Sequence, residues 1–175
     1  MAVRPQTSLK NNGMKEKQAR MLEKAVTLAV KAHAGQRDKS GEPYVFHPLR
    51  MMLRCKTFEE KLVSALHDVI EDSDYTIKEL RKEGCPEDVL IAIEHLSRRN
   101  DESYDEFIER ALSNPLARKV KIKDLEDNMN LLRYAELDDK VFEKLAKYHR
   151  AWHRAQELDE ESDGNCLPER RRFVL

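Results

Sequence analysis

Apolar residues recur at helical spacing along most of the chain. Between residues 16 and 34 they fall every three or four positions, as at Leu22, Ala25 and Ala29, and Gly35 marks the end of the pattern. Sequences of the Ser/Thr-x-x-Glu type, which cap helix N-termini, precede three further apolar segments. No segment alternates with the two-residue period of a strand. The pattern therefore predicts an all-α bundle of about eight short helices.

One segment combines this apolar pattern with several charges. Over residues 58–70 the apolar positions cover nearly the whole helix circumference, as is normal for a buried helix. On a continuous helix His67 would lie over Glu71 and Asp68 over Asp72. Unpaired charges buried there would be costly, so a bound cation is the simplest compensation. The alternative is a helix end whose acidic residues face water.

Three other groups of residues are candidates for a site. His47 precedes Pro48 at a predicted helix start, where a histidine is more often a structural cap than a ligand. Asp124 and Asn128 share one helix stripe, although a half-buried aspartate commonly bonds a neighbouring helix end. The loop of residues 36–41 is either a solvated turn or a cationic rim for an anionic ligand.

Composition limits the classes of function. The 32 Lys and Arg nearly balance the 33 Asp and Glu, so the sequence shows no footprint for nucleic-acid or membrane-surface binding. No apolar run approaches the ~20 residues of a membrane span. Cys55, Cys85 and Cys166 are few and far apart, which predicts free thiols and a cytoplasmic location. We expect one folded domain over residues 14–160, with flexible tails at 1–13 and 161–175.

Four motifs occur in a characteristic order. They read AHAGQR at 32–37, SGEPYVFHPL at 40–49, LHDVIED at 66–72 and VKIKD at 120–124, the last followed by Asn128. Together they resemble the HD-domain phosphohydrolases, specifically the small stand-alone alarmone hydrolases of the RelA/SpoT type, over about residues 21–132. The resemblance implies a single HD-domain helical bundle.

The resemblance also implies roles for individual residues. It implies one divalent metal, Mn²⁺ with other divalent metals left open, and four ligands: His47, His67, Asp68 and Asp124. It implies that Glu71 and Asp72 orient or deprotonate the attacking water. It implies a substrate-binding set of Arg37, Lys39, Ser40, Lys121 and Asn128, with the choice between Arg37 and Lys39 at the guanine base left open.

The reaction implied is removal of the 3′-pyrophosphate from guanosine 3′,5′-bis(diphosphate), an anionic nucleotide. A polyphosphate needs cations on the wall facing the acidic residues, and the candidates are Arg37, Lys39, Arg98, Lys121 and Lys123. Two alternatives are a phosphohydrolase for another nucleotide, either a monophosphate or a phosphorylated dinucleotide, and a catalytically weak nucleotide-binding regulatory module. A homo-oligomer is left open.

The sequence departs from the family pattern on the substrate side. Leu125, Asp127 and Leu131 stand where the family usually has Arg, His and Thr, and the basic loop reads Arg37-Asp38-Lys39 rather than Arg-Lys. The predicted metal ligands are all retained. The metal is therefore predicted more firmly than the substrate.

Overall fold

The protein is an all-α bundle. This computed structural model describes residues 6–162, with side chains from residue 13 onward. Within that range the helices are α1 (Gln6–Ala32), α2 (Phe46–Arg54), α3 (Phe58–Leu66), α4 (Val69–Asp72), α5 (Ile77–Lys82), α6 (Glu87–Leu96), α7 (Tyr104–Ser113), α8 (Pro115–Asn128) and α9 (Asp139–Ser162), with a 3-10 turn at Leu131–Arg133. No strand occurs in the described part of the chain, which confirms the predicted fold class.

Helices α3 and α8 lie at the centre of the bundle. Helix α3 packs against α1, α2, α6 and α8, and α8 also contacts α2, α6, α7 and α9. Leu62, Val63 and Leu66 of α3 and Val120 of α8 are completely buried. Each such side chain contributes about 1.5–3 kcal/mol through burial. The helices that carry the predicted ligands are thus anchored by the core.

Several helix ends follow the predicted signals. Thr76 and Ser103 each form a reciprocal capping box with the glutamate three residues later. The Asn114 side chain accepts a hydrogen bond from Ala117 N, with Pro115 as the first residue of α8. Gly35 follows α1 with a φ of 82°, a conformation that favours glycine.

Two helix starts differ from the predictions. Helix α1 begins at Gln6 rather than near residue 16, so it enters the predicted N-terminal tail. Good helix formers follow Gly13 from Met14 to Arg20 and offset its cost of about 1 kcal/mol. His47 is not a cap, because α2 begins at Phe46 and His47 is buried in its first turn. The Tyr44 carbonyl already accepts from His47 N at 2.9 Å, so the chain turns earlier than predicted.

The predicted continuous helix through the His67-Asp68 pair is interrupted. Helix α3 ends at Leu66 and α4 begins at Val69. His67 Nδ1 lies 2.9 Å from the carbonyl oxygen of Ser64, the group that would accept the Asp68 amide in an unbroken helix. Successive side chains on a helix point about 100° apart. His67 and Asp68 nevertheless keep right-handed helical dihedral angles, and their side chains approach each other, with His67 Nε2 3.1 Å from Asp68 Oδ2.

The described residues also bear on the thiols and on membrane insertion. Cys55 and Cys85 are buried free thiols, whereas Cys166 and the other residues after 162 lie outside the described part of the chain. Among residues 6–162, no helix combines the length and apolar character that a membrane crossing requires.

Candidate metal centre

The four predicted metal ligands meet at one point between three helical segments. His47 comes from the first turn of α2, His67 and Asp68 from the break between α3 and α4, and Asp124 from the middle of α8. One ligand atom each of His47, His67 and Asp124 lies within 4.8 Å of the others. Asp68 Oδ2 lies 3.1 Å from His67 Nε2 and 3.9 Å from His47 Nε2. Two imidazoles and two carboxylates therefore converge.

The orientation of both imidazoles fits metal ligation. His47 Nδ1 donates to the Asp127 carboxylate at 2.7 Å, and His67 Nδ1 donates to the Ser64 carbonyl at 2.9 Å, because a carbonyl oxygen only accepts. Nε2 of each ring is left facing the centre, and that of His67 is buried without a hydrogen-bond partner. Histidines that bind metals usually anchor the other ring nitrogen in this way. The mixed imidazole and carboxylate set suits a borderline divalent metal.

The two carboxylates at the centre are also held by neighbours. Asp68 Oδ2 accepts a hydrogen bond of 2.7 Å from the Tyr44 hydroxyl. Asp124 accepts from Asn128 Nδ2 at 2.6 Å and from Lys121 Nζ at 2.7 Å. Lys121, Asp124 and Asn128 are three and four residues apart and so share one face of α8. Each ligand therefore has its position fixed by a residue near it in the fold.

Charge at the centre is arranged for a dication. Burial alone would raise the pKa of Asp68, but the charge on His67 outweighs burial and lowers the pKa to about 2. Burial likewise opposes ionisation of Asp124, yet Lys121 and His47 hold its pKa well below the usual range. Both carboxylates are thus ionised at neutral pH. Burial would lower the pKa of His47, but its hydrogen bonds to Asp124 and Asp127 raise that pKa to about 9. Cation binding must therefore displace a proton from His47.

The predicted catalytic pair is divided between two surfaces. Glu71 lines the same cavity as the metal ligands, and its carboxylate accepts a hydrogen bond from the Arg98 amide. Burial raises the pKa of Glu71. Asp72 lines a separate depression, where its Oδ2 lies 3.8 Å from His33 Nδ1. Burial and the charge on Asp68 raise the pKa of Asp72.

A cavity of about 420 Å³ opens beside the metal centre. Its lining includes the carboxylates of Asp68, Glu71 and Asp124. Cations from five parts of the chain also line it: Arg37, Lys39, Arg98, Lys121, Arg133, Lys144 and Lys147. The cavity also has aromatic walls, made by Tyr44, Tyr104, Phe107 and Tyr148. Acidic, basic and aromatic side chains thus line one cavity, where Lys121 and Tyr44 bond the acidic ligands directly.

No protein-family model matches the chain. A protein of Aquifex aeolicus named guanosine-3′,5′-bis(diphosphate) 3′-pyrophosphohydrolase is 30% identical over 126 residues, which cover 65% of this chain and 18% of that protein. The bifunctional (p)ppGpp synthase/hydrolase SpoT of Escherichia coli is 39% identical over 71 residues, covering 38% of this chain and 10% of that protein. The chain spans less than a fifth of the length of these curated relatives.

Among solved structures, a metazoan ortholog of SpoT that hydrolyzes ppGpp matches with a TM-score of 0.66 at 18% sequence identity. The match covers 83% of this chain and 97% of that one. In sequence the chain resembles the SpoT-type hydrolases, and its fold matches that of this SpoT ortholog. The resemblance expected from the four motifs is thereby confirmed.

The predicted substrate-binding residues differ in how they are placed. Lys39 Nζ donates to the Asn128 carbonyl at 2.8 Å and lies 3.8 Å from the ring centroid of Tyr134. Burial, reinforced by the charge on Arg133, lowers the pKa of Lys39 to about 8. Arg37 lines the cavity but is exposed, and Ser40 hydrogen-bonds Asp38 and does not line the cavity. Lys39 is therefore the more firmly positioned cation of the loop.

Three residues that line this cavity were not predicted from the sequence, and one predicted cation lies elsewhere. Lys144, Lys147 and Tyr148 reach it from α9, which lies beyond the last motif. The i, i+3 and i, i+4 spacing of Lys144, Lys147 and Tyr148 was the available signal, since it places them on one helix face. Lys123 does not line this cavity, because it points into a different cleft and lies 3.5 Å from Glu126.

Proposed function

We propose that this chain is a metal-dependent phosphohydrolase that removes the 3′-pyrophosphate from guanosine 3′,5′-bis(diphosphate), with Mn²⁺ as its metal. One observation carries the proposal: the two imidazoles and two carboxylates converge beside a cavity that basic and aromatic side chains also line. The substrate is drawn from the names of the relatives, which cover 65% of this chain or less.

The ligands in this proposal are His47, His67, Asp68 and Asp124. When bound there, a divalent cation supplies Lewis-acid polarisation of a phosphoryl oxygen and of water. The two ionised aspartates neutralise its charge, and the Nδ1 hydrogen bonds keep both imidazoles in the tautomer that leaves Nε2 free.

Glu71 is the proton acceptor in this proposal. It lies in the cavity, and its raised pKa makes it a stronger base than an exposed glutamate. The Arg98 amide fixes one of its carboxylate oxygens and leaves the other available. Asp72 acts from outside the cavity, where it adds negative charge next to His33 and Gln36 rather than touching the attacked phosphorus.

The basic and aromatic residues that line the cavity suit a nucleotide that carries two diphosphates. The positive charges that offset the cavity's carboxylates come from Lys144 and Lys147 of α9, together with Lys39 and Arg98. Tyr104 and Tyr148, whose ring centroids are 6.4 Å apart, provide faces on which a purine can stack. Residues 14–160 form the hydrolase domain in this proposal, and the buried thiols of Cys55 and Cys85 suit a reducing cytoplasm.

A nucleotide panel tests the proposal. The purified chain is stripped with a chelator, reloaded with Mn²⁺, Mg²⁺ or Zn²⁺, and assayed for released pyrophosphate and orthophosphate. We expect pyrophosphate from guanosine 3′,5′-bis(diphosphate), most rapidly with Mn²⁺, and no turnover or metal retention by Asp68→Ala. Orthophosphate from monophosphates would support the alternative substrate class. Full metal loading without turnover of any nucleotide would support a binding module instead.

A further inference from the structure

Asp127 lies at the centre of a buried charge cluster beside the metal ligands. Its carboxylate accepts from His47 Nδ1 at 2.7 Å and from Arg50 Nε and Nη2 at 2.9 and 3.0 Å. Arg133 Nη1 makes a fourth, close contact with the same carboxylate. The Asp127 side chain is 6% exposed, and the Arg133 side chain is 10% exposed. Asp127 and Arg133 are therefore shielded from water, whereas the Arg50 side chain is 36% exposed at the edge of the cluster.

The cluster extends to the basic loop. Arg133 Nη2 donates to Asp38 Oδ2 at 2.9 Å, and the Asp38 side chain is 3% exposed. Asp38 Oδ1 in turn accepts from the amides of Ser40 and Glu42, which fixes the turn before Tyr44. Two aspartates and two arginines balance each other, so the cluster carries no net charge of its own when His47 is neutral.

The donors to Asp127 leave its carboxylate little freedom to rotate. Four donors contact this carboxylate, three of them at Oδ2 and one at Oδ1, and they come from both sides of it in the chain, α2 and the segment after α8. His47 and Arg50 are three residues apart on α2, so both donors come from one rigid face. The His47 ring cannot flip or turn without breaking its bond to a group that is itself fixed.

We propose that Asp127 is the positioning residue of the metal centre, which holds His47 with Nδ1 protonated and Nε2 directed at the cation, and that Arg133 couples this arrangement to the loop at Asp38. This inference rests on the proposed metal site. The family that this chain resembles usually has histidine at position 127. The arrangement around Asp127 is therefore particular to this chain. Two of the departures from the family pattern, Asp38 and Asp127, thus belong to one unit that positions the ligand and the loop together.

Metal titration of a matched pair of variants tests the inference. Asp127→Asn keeps the shape but offers an amide donor to Nδ1, which favours the tautomer with its proton on Nε2. Glu126→Gln is the control, because Glu126 is the neighbouring acid on α8 and bonds Arg54 and Trp152 instead. By calorimetry with Mn²⁺, we expect the Kd of Asp127→Asn to rise about 10–100-fold, as for other partners of metal-bound histidines, and that of Glu126→Gln to stay within about threefold.

The calorimetric titration contains Mn²⁺ but no substrate. Its outcomes therefore test this inference separately from the proposed hydrolysis. Equal Mn²⁺ affinity of Asp127→Asn and the parent chain would overturn the inference alone, as would an equal loss in Glu126→Gln. A parent chain that binds no Mn²⁺ would overturn both the inference and the proposed metal site. If Asp127→Asn does not fold, long-range ¹H–¹⁵N spectra of the Zn²⁺-loaded parent decide: we expect His47 protonated at Nδ1, and protonation at Nε2 would overturn the inference.

Discussion

The ion pair between Lys121 and Asp124 makes the stability of the metal-free protein depend on one ligand. The two side chains are 11% and 10% exposed, with Nζ 2.7 Å from Oδ2. Asp124→Asn removes the counter-charge and leaves the Lys121 ammonium buried. Removing one partner of a buried pair costs about 3–5 kcal/mol, but Lys121 keeps Phe107, whose ring centroid lies 4.7 Å from Nζ. We therefore expect a loss near the lower limit, about 3 kcal/mol.

This loss has a specific signature in melting experiments. At roughly 2–4 °C per kcal/mol for a chain of this size, Asp124→Asn should lower Tm by about 6–12 °C in the presence of a chelator. Adding Lys121→Met removes the unpaired charge and should recover more than half of the loss. Calorimetry should show no Mn²⁺ binding to either variant. The reasoning would be refuted by a single variant as stable as the parent, or by a double variant no more stable than the single one.

Three further predictions concern turnover of guanosine 3′,5′-bis(diphosphate). Glu71→Gln should retain Mn²⁺ by calorimetry while kcat falls about 10²–10⁴-fold, the usual effect of losing a general base; an unchanged kcat would exclude Glu71 from that role. Asp72→Asn should lower kcat by less than about tenfold, because Asp72 lies outside the cavity, and a loss equal to that of Glu71→Gln would contradict this placement. The pKa of Lys39 is lowered from 10.5 to about 8, so its charge is present below that pH and is lost as pH rises through it. KM should therefore increase above about pH 8, and Lys39→Arg, whose guanidinium stays charged, should remove this increase in the pH profile; a profile unchanged in the variant would assign the titration to another group.

Much of the architecture was predictable because helix formation follows local signals. The apolar stripe before Gly35, the capping boxes at Thr76 and Ser103, and the Asn114-Pro115 start of α8 depend on residues within four positions of each other. The candidate ligands were predictable for a different reason. Their motifs match a known pattern, and the structure brings the four side chains together.

The remaining features depend on contacts that no local pattern encodes. The break after Leu66 arises because the His67 side chain, rather than the backbone, bonds the Ser64 carbonyl, and periodicity has no information about that competition. Lys121 and Lys123 are both charged residues on α8, but two positions correspond to about 200° of rotation, so they face different clefts. Asp72 lines the separate depression, and a hydrogen bond from Gln36 Nε2 to the Asp72 carbonyl ties the end of α4 to the loop after α1, a contact between residues 36 positions apart.

The short length of α4 has a consequence for how the site responds to its surroundings. This helix has only four residues, whereas α8, which carries Asp124, has fourteen. A single turn has almost no cooperative hydrogen bonding of its own, so it opens far more readily than a long helix. Backbone amides of α4 should therefore exchange with deuterium faster than those of α3 and α8. Glu71, the proton acceptor of the proposed function, therefore lies on a segment that can adjust more readily than the helix that carries Asp124.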